Sequence, residues 1–258
     1  MSMQKKGERG QVTIFIIVAM VIVAVGILVS LLYPKFYTGF NFEAENPEGF
    51  LQNCLEDEMA NAVTLLSSQG GSLNPAHYFT HNKDKLEYLC YTNKYYTPCM
   101  IQQPALATHI ESEILRAIED KKNECIKSLE DAYKKKGYKV SFKSGEFNIE
   151  LLPKRIVATI NDELTLTKKE TKKYESFNII LNNNLYELTS IANSILNWEA
   201  KLGDSDTTRY MTYYRDLKVE KKKQSDGTTV YILTDRNDKK SFKFATRSLA
   251  LPPGYIKI

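Results

Sequence analysis

The 258-residue chain is 43% hydrophobic and 26% charged, with a formal net charge of +4. That apolar content can bury the core of one domain or two small ones, which excludes a disordered stalk. A charge excess this small, with both signs interspersed, excludes a protein that holds nucleic acid in a basic field.

Residues 1–10 form a basic leader, with Lys5, Lys6 and Arg9 against Glu8. Residues 11–33 predict a transmembrane helix, because Val12 to Tyr33 is an uninterrupted uncharged run. Some twenty residues rising about 1.5 Å each span about 30 Å, the thickness of a bilayer's hydrocarbon core. The run is longer than the apolar part of a cleaved secretory signal. It leaves through Leu31, Leu32, Tyr33 and Pro34 without a small-residue cleavage pattern, so a retained anchor is favoured. Lys and Arg exceed acidic residues before the run, while Glu43, Glu45 and Glu48 outnumber Lys35 after it. This asymmetry predicts a single-pass protein of the cell membrane, with a cytoplasmic N-terminus and an extracellular C-terminal domain. The lipid bilayer is its first partner.

Residues 34–46, aromatic and broken by Gly39, read as a juxtamembrane linker. A helical, disulfide-stapled region over 47–137 follows. Its first helix starts at Asn46 and Pro47, a capping residue before proline at the first helical position. Phe50, Leu51, Cys54, Leu55, Met59, Ala62, Val63 and Leu66 recur at helical spacing, and Gly70 and Gly71 stop the helix. From Ser72 to Pro104 the period gives way to loop signals, with Pro75, Pro98, Pro104 and tyrosines at 78, 88, 91, 95 and 96. A second helix is expected from about Ala105 to Lys136. One face carries Leu106, Ile110, Ile114, Ile118, Cys125, Leu129 and Tyr133, with a break allowed near Asp120 to Asn123 and Gly137 as the stop.

All four cysteines, Cys54, Cys90, Cys99 and Cys125, lie beyond the anchor. An even count in an oxidising compartment predicts two disulfides, in any of three connectivities. A zinc site is the weaker reading, since no C-x2-C pair occurs. Cys54 and Cys125 both lie on apolar stripes of helices that have to pack. Cys54 with Cys125 and Cys90 with Cys99 is therefore the economical pairing.

Residues 138–258 read as an antiparallel α+β region. Tyr138, Val140 and Phe142, then Phe147, Ile149 and Leu151, then Ile156, Ala158 and Ile160, then Leu164 and Leu166 alternate with polar residues. Turn signals at Ser144–Gly145, Pro153–Lys154 and Asn161–Asp162 separate them, predicting a four-stranded meander. A helix follows from about Asn183 to Leu202, closed by Gly203, and a shorter one lies within Asp204 to Tyr214. The chain then returns to strands through Leu217 and Val219, Val230 and Ile232, and Phe242, Phe244 and Thr246, with Asp226–Gly227 as a two-residue hairpin signal. The lysine runs 134–136 and 221–223 read as a solvated helix end and a strand edge.

Little of this points to catalysis. His77 and His81 have the four-residue spacing of two ligands on a helix face, but they stand beside Pro75 and lack the glutamate of H-E-x-x-H. No nucleophile elbow, Walker loop, dinucleotide fingerprint or calcium loop occurs. Paired cysteines cannot supply a thiolate. No catalytic residue, metal site or cofactor is expected, and an enzyme is not. The excess is in tyrosine, sixteen in all. Such amphipathic rings suit interfaces. Tyr88, Tyr91, Tyr95 and Tyr96 in the stapled segment form the first candidate interaction loop, and Tyr210, Tyr213 and Tyr214 cluster again.

Lys5-Lys6-Gly7-Glu8-Arg9-Gly10, followed by Gln11-Val12-Thr13-Ile14-Phe15, resembles the class III signal of archaeal prepilins. The resemblance implies cleavage between Gly10 and Gln11, with the hydrophobic helix kept on the mature protein. It also implies a prepilin peptidase and like subunits as partners. Phe15 stands at the fifth residue after that cut, where pilin-like families usually carry glutamate. The segment Phe50 to Gly71 also resembles single-anchor proteins of small-genome archaea that share the R-G-Q-V-T start and have no settled function. The expectation is thus an α+β protein with one transmembrane helix and an extracellular domain of amphipathic helices and antiparallel sheet. Its expected role is a type IV pilin-like surface subunit. The alternative is a tethered binding or adhesion module, not assembled into a filament, that meets a cell-surface ligand or partner protein.

Overall fold

The computed structural model describes residues 17–23 and 46–250. The chain divides into two units, Met1–Glu43 and Ala44–Ile258. In the first, residues 17–23 are helical (α1), and their apolar side chains are exposed all round. Among the described residues no helix is long and apolar enough to cross a membrane. The leader, the Gly10–Gln11 junction, most of the expected anchor and nearly all of the linker lie outside the described residues.

The second unit opens with α2 (Pro47–Gln69). The Asn46 carboxamide accepts from Gly49 N at 3.2 Å, Pro47 occupies the first turn, and Gly70 ends the helix in the left-handed region at φ 84°. Leu51, Leu55, Met59, Val63 and Leu66 line its buried side. The next helix, α3 (Leu106–Lys135), runs thirty residues without the allowed break. Lys122 lies on its buried side within 3.8 Å of the Asp162 carboxylate, so the polar residues near 120–123 did not interrupt the stripe. The two helices pack together and are bonded through Cys54–Cys125.

The segment 72–104, expected as loop, holds β1 (Tyr78–His81), β2 (Asp84–Tyr91) and β3 (Met100–Ile101). β2 is internal to a mixed sheet of order β1-β2-β12-β11-β10, with β3 also pairing β2. Its sheet partners come from the end of the chain: β10 (Leu217–Lys223), β11 (Thr228–Asp235) and β12 (Ser241–Arg247). The β2–β12 pairing is parallel, while the other strand pairings among the described residues are antiparallel, as expected. Leu86 and Tyr88 join Val230 and Ala245 in a small buried cluster. The tyrosines that looked loop-like are good strand formers once a sheet face is there to cover them. Cys90, in β2, is bonded to Cys99.

The expected four-stranded meander is a three-stranded ribbon, bent into two sheets. β4 (Lys139–Lys143) and β5 (Phe147–Leu152) form one long arm, and β6 (Arg155–Ile160) and β7 (Glu163–Thr167) form the next. β8 (Thr171–Tyr174) and β9 (Phe177–Asn182), neither of them foreseen, form the third. The sheets are therefore β4-β7-β8 and β5-β6-β9. Of the three turn signals only Pro153–Lys154 reverses the chain. The other two face each other across the bend, where Gly145 N donates to Asp162 Oδ1 at 2.7 Å. A Cβ on Gly145 would stand 1.9 Å from the Asn161 carbonyl oxygen, so only glycine permits that approach.

Helix α4 (Leu185–Leu202) buries Leu188, Ala192, Ile195 and Leu196 against the mixed sheet and ends at Gly203; the short α5 (Thr207–Tyr213) follows and packs on β10. Asp226–Gly227 does turn the β10–β11 hairpin. Gln224 N donates to Thr228 O at 2.7 Å, leaving a three-residue loop rather than two.

Candidate functional site

In the last turns of α4 neighbouring residues differ sharply in exposure. Trp198 and Leu202, one helical turn apart, are 42% and 55% exposed, while Glu199 is 1% exposed. After Gly203 the chain folds back as α5, capped where the Asp206 carboxylate accepts from Thr208 N at 3.0 Å. The Ser194 and Tyr210 hydroxyls, 2.7 Å apart, tie the two helices. Between them lies a groove of about 710 Å³, within the size range of small-ligand sites. Trp198, Tyr210, Tyr213 and Tyr214 supply its rings, and Asp204, Asp206 and Arg209 its charges.

Beneath the groove the charged groups are engaged with one another. Asp204 bonds Lys221, and its other oxygen takes Lys223 at 3.2 Å. Burial works against the Asp204 carboxylate, but these two lysines outweigh it and hold its pKa below the usual range. Lys221 also donates to the Ser205 carbonyl at 2.7 Å, and its ammonium lies 5.8 Å from the centroid of the Tyr231 ring. Tyr231 in turn donates to Glu199. Burial pushes the Glu199 carboxyl up to about 7, against the opposing pull of Tyr231 and Lys221. Burial and the facing carboxyl hold the Tyr231 hydroxyl far above its usual value. Sealed from solvent, Glu199 cannot reach a ligand. Arg209, by contrast, makes no hydrogen bond or ion pair among the described residues. The groove offers ring faces, hydroxyls and a free guanidinium, with no nucleophile beside a base. Such a surface can hold a ligand.

No family model, curated protein or solved structure matches the chain.

The four tyrosines of the candidate loop lie in different surroundings. Tyr88 is a core residue, its hydroxyl 2.9 Å from Thr228 Oγ1. Tyr91 is half-buried, with the Arg247 guanidinium 5.6 Å over its ring. Tyr95 and Tyr96 are 67% and 66% exposed, and Tyr96 N donates to Leu249 O at 2.8 Å. Cross-strand burial took the first two, leaving two rings outside.

His77 packs against Tyr88 and Tyr91, with ring centroids 4.7 and 4.2 Å away, while His81 ends β1. Four residues of extended chain separate two side chains by about 13 Å, too far for one ion. His109 Nε2 lies 2.8 Å from Ser72 Oγ, but that hydroxyl also meets Glu87. A serine giving its proton to a carboxylate is not being activated by the imidazole. A second concavity, of about 410 Å³, shares Tyr214 with the groove. Its carboxylates are largely engaged: Glu187 accepts from Lys154 N, and Asp235 from Asn184 and Asn237 N.

Sequence reasoning singled out Tyr210, Tyr213 and Tyr214 but missed Trp198 and Arg209. One signal was present. Trp198 is the chain's single tryptophan, standing three residues beyond Ile195 with Leu202 four residues further on, so helical spacing extends the apolar stripe of α4 past its buried part.

Proposed function

We propose that this is a membrane-tethered extracellular binding module, held by its N-terminal hydrophobic run, whose α4–α5 groove receives the ligand. The gathering of exposed Trp198, Tyr213 and Tyr214 around one concave surface carries the reading. Large rings left in water are unfavourable until a ligand covers them. Tethering is supported by the uncharged run from Val12 to Tyr33 and its charge asymmetry, and an oxidising location by two disulfides.

The test uses the full-length chain in its native cells. It should stay in the membrane through an alkaline carbonate wash, lose the domain beyond residue 46 to external protease, and retain cell-envelope material in a way that W198A/Y213A abolishes. Release by carbonate, protection from protease, or retention unchanged in the double variant would overturn the reading.

A pilin-like subunit is the second reading. It is favoured by the Arg9-Gly10-Gln11 start and by the helical residues 17–23, apolar and exposed on every side, as helices that pack against copies of themselves require. Mature protein beginning at Gln11 and present in filaments would support it. A mature chain beginning at Met1 would remove it.

A further inference from the structure

Resting on the binding reading above, we infer that the α4–α5 groove takes an acidic oligosaccharide, a uronate-containing glycan. Its carboxylate pairs with Arg209, and its sugar faces lie on Trp198 and Tyr213. Three observations converge on this ligand.

The first is the kind of apolar surface. The groove is walled by aromatic rings, with Leu202 as its one large aliphatic side chain. A flat ring face carries partial negative charge. It suits the slightly positive C–H face of a pyranose better than the branched aliphatic anchors of a protein partner. Tyr213, 78% exposed, is free to stack in this way.

The second is charge. Arg209, Asp204 and Asp206 are the charged residues that line the groove, with Lys221 and Lys223 bonded to Asp204 beside them. Asp204 is already held by Lys221 and Lys223, and Asp206 caps α5. The Lys201 ammonium sits 5.9 Å from the Trp198 ring centroid. Arg209 is the cation that lines the groove itself, and it has no ion pair among the described residues; its planar fork matches one carboxylate.

The third is the mixture of donors and acceptors. Sugar hydroxyls need both. Asp206 and the Ser194–Tyr210 hydroxyl pair supply acceptors and donors within the same groove. A nucleic-acid strand also stacks on aromatic rings, but its succession of phosphates would meet a single guanidinium among the groove's lining residues.

The experiment is a titration of the full-length protein in detergent micelles with trigalacturonate, and with maltotriose as the neutral counterpart. Trp198 is the only tryptophan in the chain, so intrinsic fluorescence reports on the groove directly; calorimetry supplies an independent affinity. Trigalacturonate should quench the Trp198 emission and release heat. Maltotriose should bind at least about tenfold more weakly, and R209Q should lower trigalacturonate affinity by about tenfold, with circular dichroism unchanged. No response to trigalacturonate at millimolar concentration, or equal affinity for maltotriose or in R209Q, would overturn the inference. The envelope-retention assay separates this failure from that of the broader reading. Retention that still needs Trp198 and Tyr213 but is destroyed by protease treatment of the envelope identifies a protein partner. That result overturns the glycan and leaves the binding module. Loss of both removes both.

Discussion

The Tyr231 hydroxyl, on β11, donates to the Glu199 carboxyl, on α4, and neither side chain is more than 1% exposed. This bond joins the sheet to the helix that carries the groove. Its weakness is the charge it encloses.

The Glu199 carboxyl titrates at about 7 in the fold, raised by burial from the ordinary 4.5. A raised acid binds its proton more tightly when folded, so its contribution is fully present below about pH 4.5 and is lost as pH rises through about 7. The loss is on the order of 3 kcal/mol. Urea midpoints of the wild type should therefore fall between pH 5 and pH 8, while E199Q, which keeps an acceptor for Tyr231, should lose most of that slope. An E199Q slope equal to wild type would show that another group is responsible.

Lys122 and Asp162 form a buried pair at 3.8 Å, with Asp162 fully enclosed and Lys122 nearly so. K122M should cost about 3 to 5 kcal/mol because it strands the carboxylate. K122M/D162N should recover a large part of that. A double-mutant cycle in urea measures the coupling, and additive costs would mean that the pair does not interact.

The two disulfides should differ in worth. Cys54–Cys125 closes a separation of 71 residues and Cys90–Cys99 one of 9. Loop entropy assigns about 4 kcal/mol to the longer and about 3 kcal/mol to the shorter. Thermal melts of C54S/C125S and C90S/C99S should rank in that order, and the reverse order would show that strand pairing around Cys90 outweighs loop entropy.

G145A tests the ribbon's bend. With the added methyl placed against the Asn161 carbonyl, about 1 to 3 kcal/mol of destabilisation is expected. An unchanged melting temperature would mean that the bend opens freely.

Much of the fold was legible because its signals are local. The Asn46 cap, the stops at Gly70, Gly137 and Gly203, and the stripes of α2, α3 and α4 all declare themselves within a few residues. β2 did not. Its burial depends on β12, more than 150 residues later, and no window around Leu86 to Tyr91 contains that partner. The bend at Gly145 and Asp162 failed for a related reason, since two turn signals that face each other act as one bend rather than two reversals. In the candidate site, the Tyr210–Tyr214 cluster was visible as composition. Which tyrosines stay in water was not, because Tyr88 and Tyr95 look alike until a sheet covers one of them.

By itself the sequence determined what short-range physics controls: an uncharged run long enough to span a bilayer, helices with their stops, alternating strands, and cysteines on stripes that have to meet. Tertiary structure alone decided that β2 lies beside β12, that Glu199 faces Tyr231, and that Trp198, Arg209 and Tyr213 share a groove. Periodicity fixes which way a side chain points from its own element. Only packing fixes what it points at.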